Sequence, residues 1–432
     1  MKKNSATFLM TSSSLTGHLL PVLDLARELV SRGHRVLVFT AESSRARVEA
    51  VGAELMPYQH YREMKERITG IEKAMPRWIK RSPVFRFLYM LWNVRGAVLD
   101  NARDITAELE PLLRREQVDC LIYDFAAYGA DYAAERVGIP TVSISNVGGV
   151  IDAAGLPLQL HTFPLARMIR RMPRLTHRVA DVLLPLRRVR SELGLPPRQE
   201  RHAELFQTNA SRQLNLIMAP RVLVEGLPLR DRQLFAGPAT FDGGTRSPPS
   251  QPLVPGTVLV STTTVGGDGG LTNRVIEGLA PLGIPVLATL AGGQAFPEGM
   301  GPHIRLERFV PHEQVLPHVA AVVTHGGLGL VSRALLHGVP MLIIPLFSDQ
   351  PLNAQLAESR GLAHHLPRTL SSPANIAERL KALLEDKVLH TRLEQLAEEL
   401  RQSPMRAPAI EALEQLALGP ESLPGLAPHA PC

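Results

Sequence analysis

Cysteine is nearly absent from this chain. Its 432 residues hold two, Cys120 and Cys432. A disulfide framework and a cysteine-based metal site are both excluded, and a reducing compartment is expected. No apolar run approaches the roughly 18–20 residues of a membrane span. The opening MKKNSATFLMTSSS mimics a leader only faintly. Its apolar core, residues 6–10, is shorter than the roughly 7–15 residues of a signal segment and reads as a first strand. A cytoplasmic protein is expected. No Gly-x-Gly-x-x-Gly follows that strand, which argues against an NAD-dependent dehydrogenase. No internal repeat is visible. The formal charge is +6, but the arginines are scattered and no stacking motif accompanies them. Nucleic acid is therefore not the expected partner, and an anionic substrate or a membrane surface suits the charge better.

What is present is a soluble globular composition, with 45% apolar and 20% charged residues. A chain this long exceeds one ordinary core, so two domains are expected. The most informative stretch is residues 309–353. An apolar strand runs into Thr324-His325-Gly326-Gly327. A helix follows, with Leu328, Val331, Leu335 and Leu336 on one face. Gly338 and Pro340 end that helix, and a second strand leads through Pro345 to Asp349-Gln350. Glycines where a strand becomes a helix expose backbone N–H groups at a positive dipole end, which suits phosphate.

The first half opens with another β-α-β unit. It puts His18 at a loop-to-helix junction, on the rim where α/β proteins bind ligands. Asp124 ends a buried strand on a similar rim. Residues 76–117 read as mostly helical, and Phe85, Phe87, Leu88, Tyr89, Leu91 and Trp92 read by default as core, or else as the wall of an apolar pocket. Residues 163–195 mix arginines with leucines, valines and methionines. Such a segment is a solvated helix face with an apolar underside, or a contact for a membrane surface or anionic substrate. Short strands are expected at 216–219, 222–224 and 233–236. Residues 241–255 are rich in Gly, Pro and Ser and read as a linker. The expected layout is an acceptor-side domain over 1–240, the linker, a second α/β domain over 256–401, a helix over 402–418 and a loose tail over 419–432.

The motifs in order are Gly17-His18-Leu19-Leu20-Pro21, then Phe309-Val310-Pro311, Thr324-His325-Gly326-Gly327, Gly338-Val339-Pro340 and Asp349-Gln350. In this set the chain resembles the family 1 nucleotide-sugar glycosyltransferases of GT-B fold, especially bacterial enzymes that decorate macrolides, glycopeptides and lipids. The resemblance covers nearly the whole chain. It implies an α/β fold of two Rossmann-like domains facing across a deep cleft. It also implies an inverting hexosyl transfer from a UDP- or dTDP-sugar to a hydroxyl of a small, apolar natural product or lipid. His18 matches the catalytic base and Asp124 its partner. His325, with N–H groups near Gly326, Gly327 and Gly329, matches the contacts to the donor phosphates. Thr264 matches a further phosphate contact, and Asp349 and Gln350 match the pair on the sugar hydroxyls. Phe309, followed by Val310, stands where a Trp stacks on the nucleotide base. Leu330 stands where the family usually has Ser or Thr. Arg333 stands where many UDP-sugar enzymes have a ribose-binding Glu, whose role Arg cannot take. No Asp-x-Asp occurs, so no metal or other cofactor is implied beyond the nucleotide sugar. The departures at Leu330, Arg333 and Thr263 leave a second reading open, a non-catalytic helper of this fold that activates a partner enzyme.

Overall fold

Strands written as near-continuous apolar runs belong in parallel sheets covered on both faces. Cys120–Asp124 is such a run, buried at every position. The computed structural model describes residues 5–162, 166–198, 202–243, 252–262, 270–289, 301–403 and 405–419. It contains two parallel sheets. The first has seven strands: β1 (Thr7–Thr11), β2 (Arg35–Thr40), β3 (Glu54–Pro57), β4 (Cys120–Asp124), β5 (Thr141–Ser145), β6 (Leu214–Ile217) and β7 (Gln233–Phe235). Their order is β3-β2-β1-β4-β5-β6-β7. The second has six: β8 (Val258–Ser261), β9 (Val286–Thr289), β10 (Ile304–Glu307), β11 (Ala321–Thr324), β12 (Met341–Ile343) and β13 (His364–His365), in the order β10-β9-β8-β11-β12-β13. Strand order reverses between β1 and β4 in one sheet and between β8 and β11 in the other. A crevice opens at each reversal, beyond the carboxyl ends of the strands.

The helix Thr16–Ser31 follows β1 and buries Leu19, Val22, Leu23, Ala26 and Leu29 against the first sheet. Pro21 is tolerated near its start, where few N–H groups have partners inside the helix. Gly33, at φ 85°, ends it, its N–H donating to Val30 O at 2.9 Å. The last described helix, Arg406–Leu418, leaves the second domain and returns to the first. Its Ala409, Ile410 and Leu413 join Phe8, Met10 and Leu23 in one core.

Two expectations need correction. Residues 222–224 are not a strand; Arg221–Val224 forms a 3-10 turn after β6. The aromatic-rich start of the helix Pro83–Arg115 is not core: Phe85, Leu88 and Trp92 are 52%, 52% and 70% exposed. Phe87 and Leu91 lie outside the side chains that are described. The apolar density there has no periodicity that separates a buried face from an exposed one.

The start of the linker is fastened to both domains. On the first domain, Asp24 accepts from the N–H groups of Thr240 and Phe241 at 3.3 and 3.2 Å and pairs with Arg406 at 2.8 Å. On the second, Arg333 donates to Ala239 O at 2.9 Å and Phe241 O at 3.0 Å and pairs with Asp242. Asp242 also accepts from the Glu313 N–H at 3.2 Å. Arg333 is 5% exposed, so this pair is desolvated. Removing one member of a buried pair strands the other and costs about 3–5 kcal/mol. Arg333→Ala is expected to lower the denaturation midpoint accordingly. Arg333→Lys should recover less than half of the loss, since one ammonium cannot serve two carbonyls and a carboxylate in a fixed fork. A midpoint unchanged in Arg333→Ala would show that the linker does not depend on this clamp.

Candidate active site

The two crevices meet in one cavity of about 580 Å³, a size suited to a small-molecule site. From the first sheet it receives His18 and Asp124. From the second it receives His325, Gly327, Asp349 and Gln350. Six of the residues singled out in the sequence therefore line one space.

His18 sits in the first turn of the helix after β1, and Asp124 closes β4, the neighbouring strand across the reversal. His18 Nδ1 lies 3.0 Å from both carboxylate oxygens of Asp124. Asp124 Oδ1 also accepts from the Ala126 N–H at 2.8 Å, which fixes the carboxylate. Nδ1–H donating to Asp124 leaves the lone pair on Nε2. The Asp124 charge holds the His18 pKa above its ordinary 6.5, against the opposing effect of burial. The Phe125 ring packs beside the imidazole, with centroids 5.3 Å apart.

Facing this pair, His325 follows β11 and lies over the start of the helix Leu328–His337. A Cβ on Gly327 would come within 2.7 Å of His325 Nε2, so only glycine lets the ring lie there. Gly326, at φ 87°, turns the chain, and a Cβ there would meet Ile343 at 2.7 Å. Asp349 Oδ2 accepts from Asn353 Nδ2 and from Asn146 Nδ2, both at 3.1 Å. Burial raises the Asp349 pKa. Ser348, just before it, has φ 60°, a conformation that is strained for a residue with a side chain. Gln350 Oε1 accepts from the N–H groups of Leu346 and Phe347 at 2.9 and 3.1 Å, so this end of the amide shapes its own loop.

The remaining residues are elsewhere. Arg333 is turned to the linker, as described above, and does not line the cavity. Leu330 and Val310 are buried in the core of the second domain. Gly329 is exposed on the helix and Phe309 is 55% exposed; neither lines the cavity. Thr264, with Thr263, lies outside the described residues.

Two functional neighbours were missed in the sequence. Asn146 follows β5 and bridges the domains through Asp349. The strand-end reasoning that singles out Asp124 would have found it. Glu63 is buried and accepts from Ser14 N at 2.6 Å and Ser14 Oγ at 3.1 Å, fixing the loop that leads to His18. It lies in an irregular loop, and no local pattern marks it.

Residues 275–416 match the family described as Erythromycin biosynthesis protein CIII-like, C-terminal domain. 4'-Demethylrebeccamycin synthase of Lentzea aerocolonigenes is 29% identical over 95% of this chain and 99% of its own length. Among solved structures, the glycotransferase of kitacinnamycin superposes with TM-score 0.74 at 24% identity, covering 96% of this chain and all, 100%, of that one. The glycosyltransferase VinC in complex with dTDP superposes with TM-score 0.63 at 21% identity, covering 96% of this chain and 100% of that one. The solved structures share this two-sheet fold.

The His18–Asp124 pair makes opposite demands on stability and on base chemistry. A histidine whose pKa rises on folding stabilises the fold fully below its unfolded value, near 6.5, and that contribution is lost as pH rises through the folded value. The neutral imidazole able to accept a proton appears over that same upper window. Any reaction that uses His18 as a base should therefore rise with pH along a limb above 6.5. Asp124→Asn should move the limb to lower pH while lowering the plateau. A limb unmoved in that variant would separate His18 from the pH dependence.

Proposed function

We propose that this chain is a glycosyltransferase of the family 1, GT-B-fold type, which moves a hexose from a nucleotide diphosphate donor to a hydroxyl of a small, apolar natural product or lipid. The carrying observation is that the His18–Asp124 pair and the His325/Gly327 helix start line one cavity from opposite domains. In this reading the acceptor hydroxyl gives its proton to His18 Nε2 as its oxygen attacks the anomeric carbon. Asp124 stabilises the imidazolium that forms. The bond to the diphosphate breaks on the opposite face, so the anomeric centre inverts. The N–H groups of the helix start, with His325, hold the charge that grows on the leaving diphosphate, and no metal is needed for that role. Asp349, held by Asn146 and Asn353, is offered to the sugar hydroxyls.

The donor we favour is a dTDP-sugar. VinC, a neighbour in fold, is described in complex with dTDP. In this chain the position of the ribose-binding Glu is Arg333, whose side chain is spent on Ala239, Phe241 and Asp242. No acceptor for ribose hydroxyls is supplied there, and deoxyribose lacks the 2′-hydroxyl that would require one. The same clamp weakens the helper reading, because Arg333 has a structural task and need not mark a degenerate site.

The test is nucleotide release from a panel of UDP-, dTDP- and GDP-sugars, together with thermal shifts by the free nucleotides. dTDP should raise the melting temperature most. His18→Ala should keep that shift and lower turnover by about 10²–10⁴. Wild type and His18→Ala equally inert with every donor, with the dTDP shift intact, would favour the helper instead.

A further inference from the structure

The helix Pro173–Leu183 is built inside out. Its one buried side chain is His177, whose Nδ1 accepts from the Ala203 N–H at 3.1 Å. Asp181, on the same inward side, accepts from the Glu204 N–H and pairs with Arg187, both at 3.0 Å. The outward side carries Leu175, Val179, Val182 and Leu183, at i, i+4, i+7 and i+8, exposed by 45%, 46%, 75% and 44%. Met168 and Met172, 47% and 46% exposed, extend this stripe along the preceding helix, Ala166–Arg171, and the turn after it. A water-soluble surface helix normally has the reverse arrangement.

Arginines fringe the stripe. Arg170, Arg171, Arg174 and Arg178 are all exposed. On a helical wheel Arg174 and Arg178 lie together along one border of the apolar face. None of the four pairs with a carboxylate among the described residues. Some other exposed arginines of this chain do: Arg35 with Glu54, Arg45 with Glu42 and Arg114 with Glu110. This surface therefore has an uncovered apolar stripe and an uncompensated row of guanidinium groups at its edge.

We propose that the helices Ala166–Arg171 and Pro173–Leu183 form a peripheral docking surface for an anionic phospholipid bilayer. The apolar stripe enters the acyl boundary and the arginines meet headgroup phosphates. Among the described residues no helix is long and apolar enough to cross a membrane, so the contact is reversible. A second copy fits less well, because an isologous contact would set these arginines against themselves. A protein partner fits less well too, because the stripe lacks the Trp and Tyr anchors that concentrate binding energy at such interfaces. This inference does not depend on the proposed reaction.

The experiment is flotation of the full chain with vesicles of phosphatidylglycerol and phosphatidylcholine, against vesicles of phosphatidylcholine alone. Wild type should float with the anionic vesicles only, and added salt should weaken it. Arg174→Gln and Arg178→Gln should each lower the partition coefficient roughly fivefold. Val182→Asp should abolish flotation while keeping its circular dichroism and melting temperature. Equal binding by wild type and Val182→Asp, or none by wild type, would overturn the proposal. So would a wild-type dimer that Val182→Asp converts to a monomer without any vesicle binding, which would assign the stripe to a second copy.

Discussion

Two parallel sheets each reverse their strand order once, and everything at the site depends on holding those two reversals face to face. Neither crevice is complete alone. The first supplies an imidazole and a carboxylate, and the second supplies a glycine turn, a helix start and Asp349. Several sets of contacts keep them opposed, among them one apolar cluster in which Val147, Val150, Leu158 and Leu223 of the first domain pack with the second. The start of the linker is held by Asp24 and Arg406 on one side and by Arg333 and the Glu313 N–H on the other. The helix Arg406–Leu418 crosses back to complete the first core. Asn146 reaches Asp349 directly, within the cavity itself.

Much of this was legible in the sequence where backbone chemistry is local. The β-α-β units, the glycines at Gly326 and Gly327 and the strand-end placement of His18 and Asp124 all follow from periodicity and turn chemistry. Those residues do converge. Legibility failed where the decision was tertiary. Arg333 occupies a helix face that a family pattern assigns to the nucleotide, yet its side chain is drawn to linker carbonyls from 94 to 92 positions away in sequence. Phe85, Leu88 and Trp92 have core-like chemistry, but they stay half or more exposed, with Trp78 against Phe85 and Arg95 against Trp92. Glu63 is set by the fold of the loop around Ser14, which no spacing rule describes. In residues 163–195 the amphipathic pattern was visible, but not that its polar side would face inward, toward Ala203 and Glu204.

The cavity also shows how one pair can serve two ends. The Asp124 charge orients His18 and raises its basicity, and the same attraction stabilises the protonated form, which cannot accept a proton, at low pH. The strained backbone at Ser348 and the burial of Asp349 lie on the opposite wall. A site that keeps a half-buried carboxylate beside a strained residue sets aside some stability for positioning.

The central claim is that His18 acts from one domain on a donor held by the other, in a single displacement. Water can stand in for the acceptor, so the most direct measurement is the anomeric configuration of sugar first released from the accepted nucleotide sugar, followed by NMR. The account predicts release in the configuration opposite to the donor's, with His18→Ala strongly slowed. Release with the donor's own configuration, or at the same rate in His18→Ala, would contradict it.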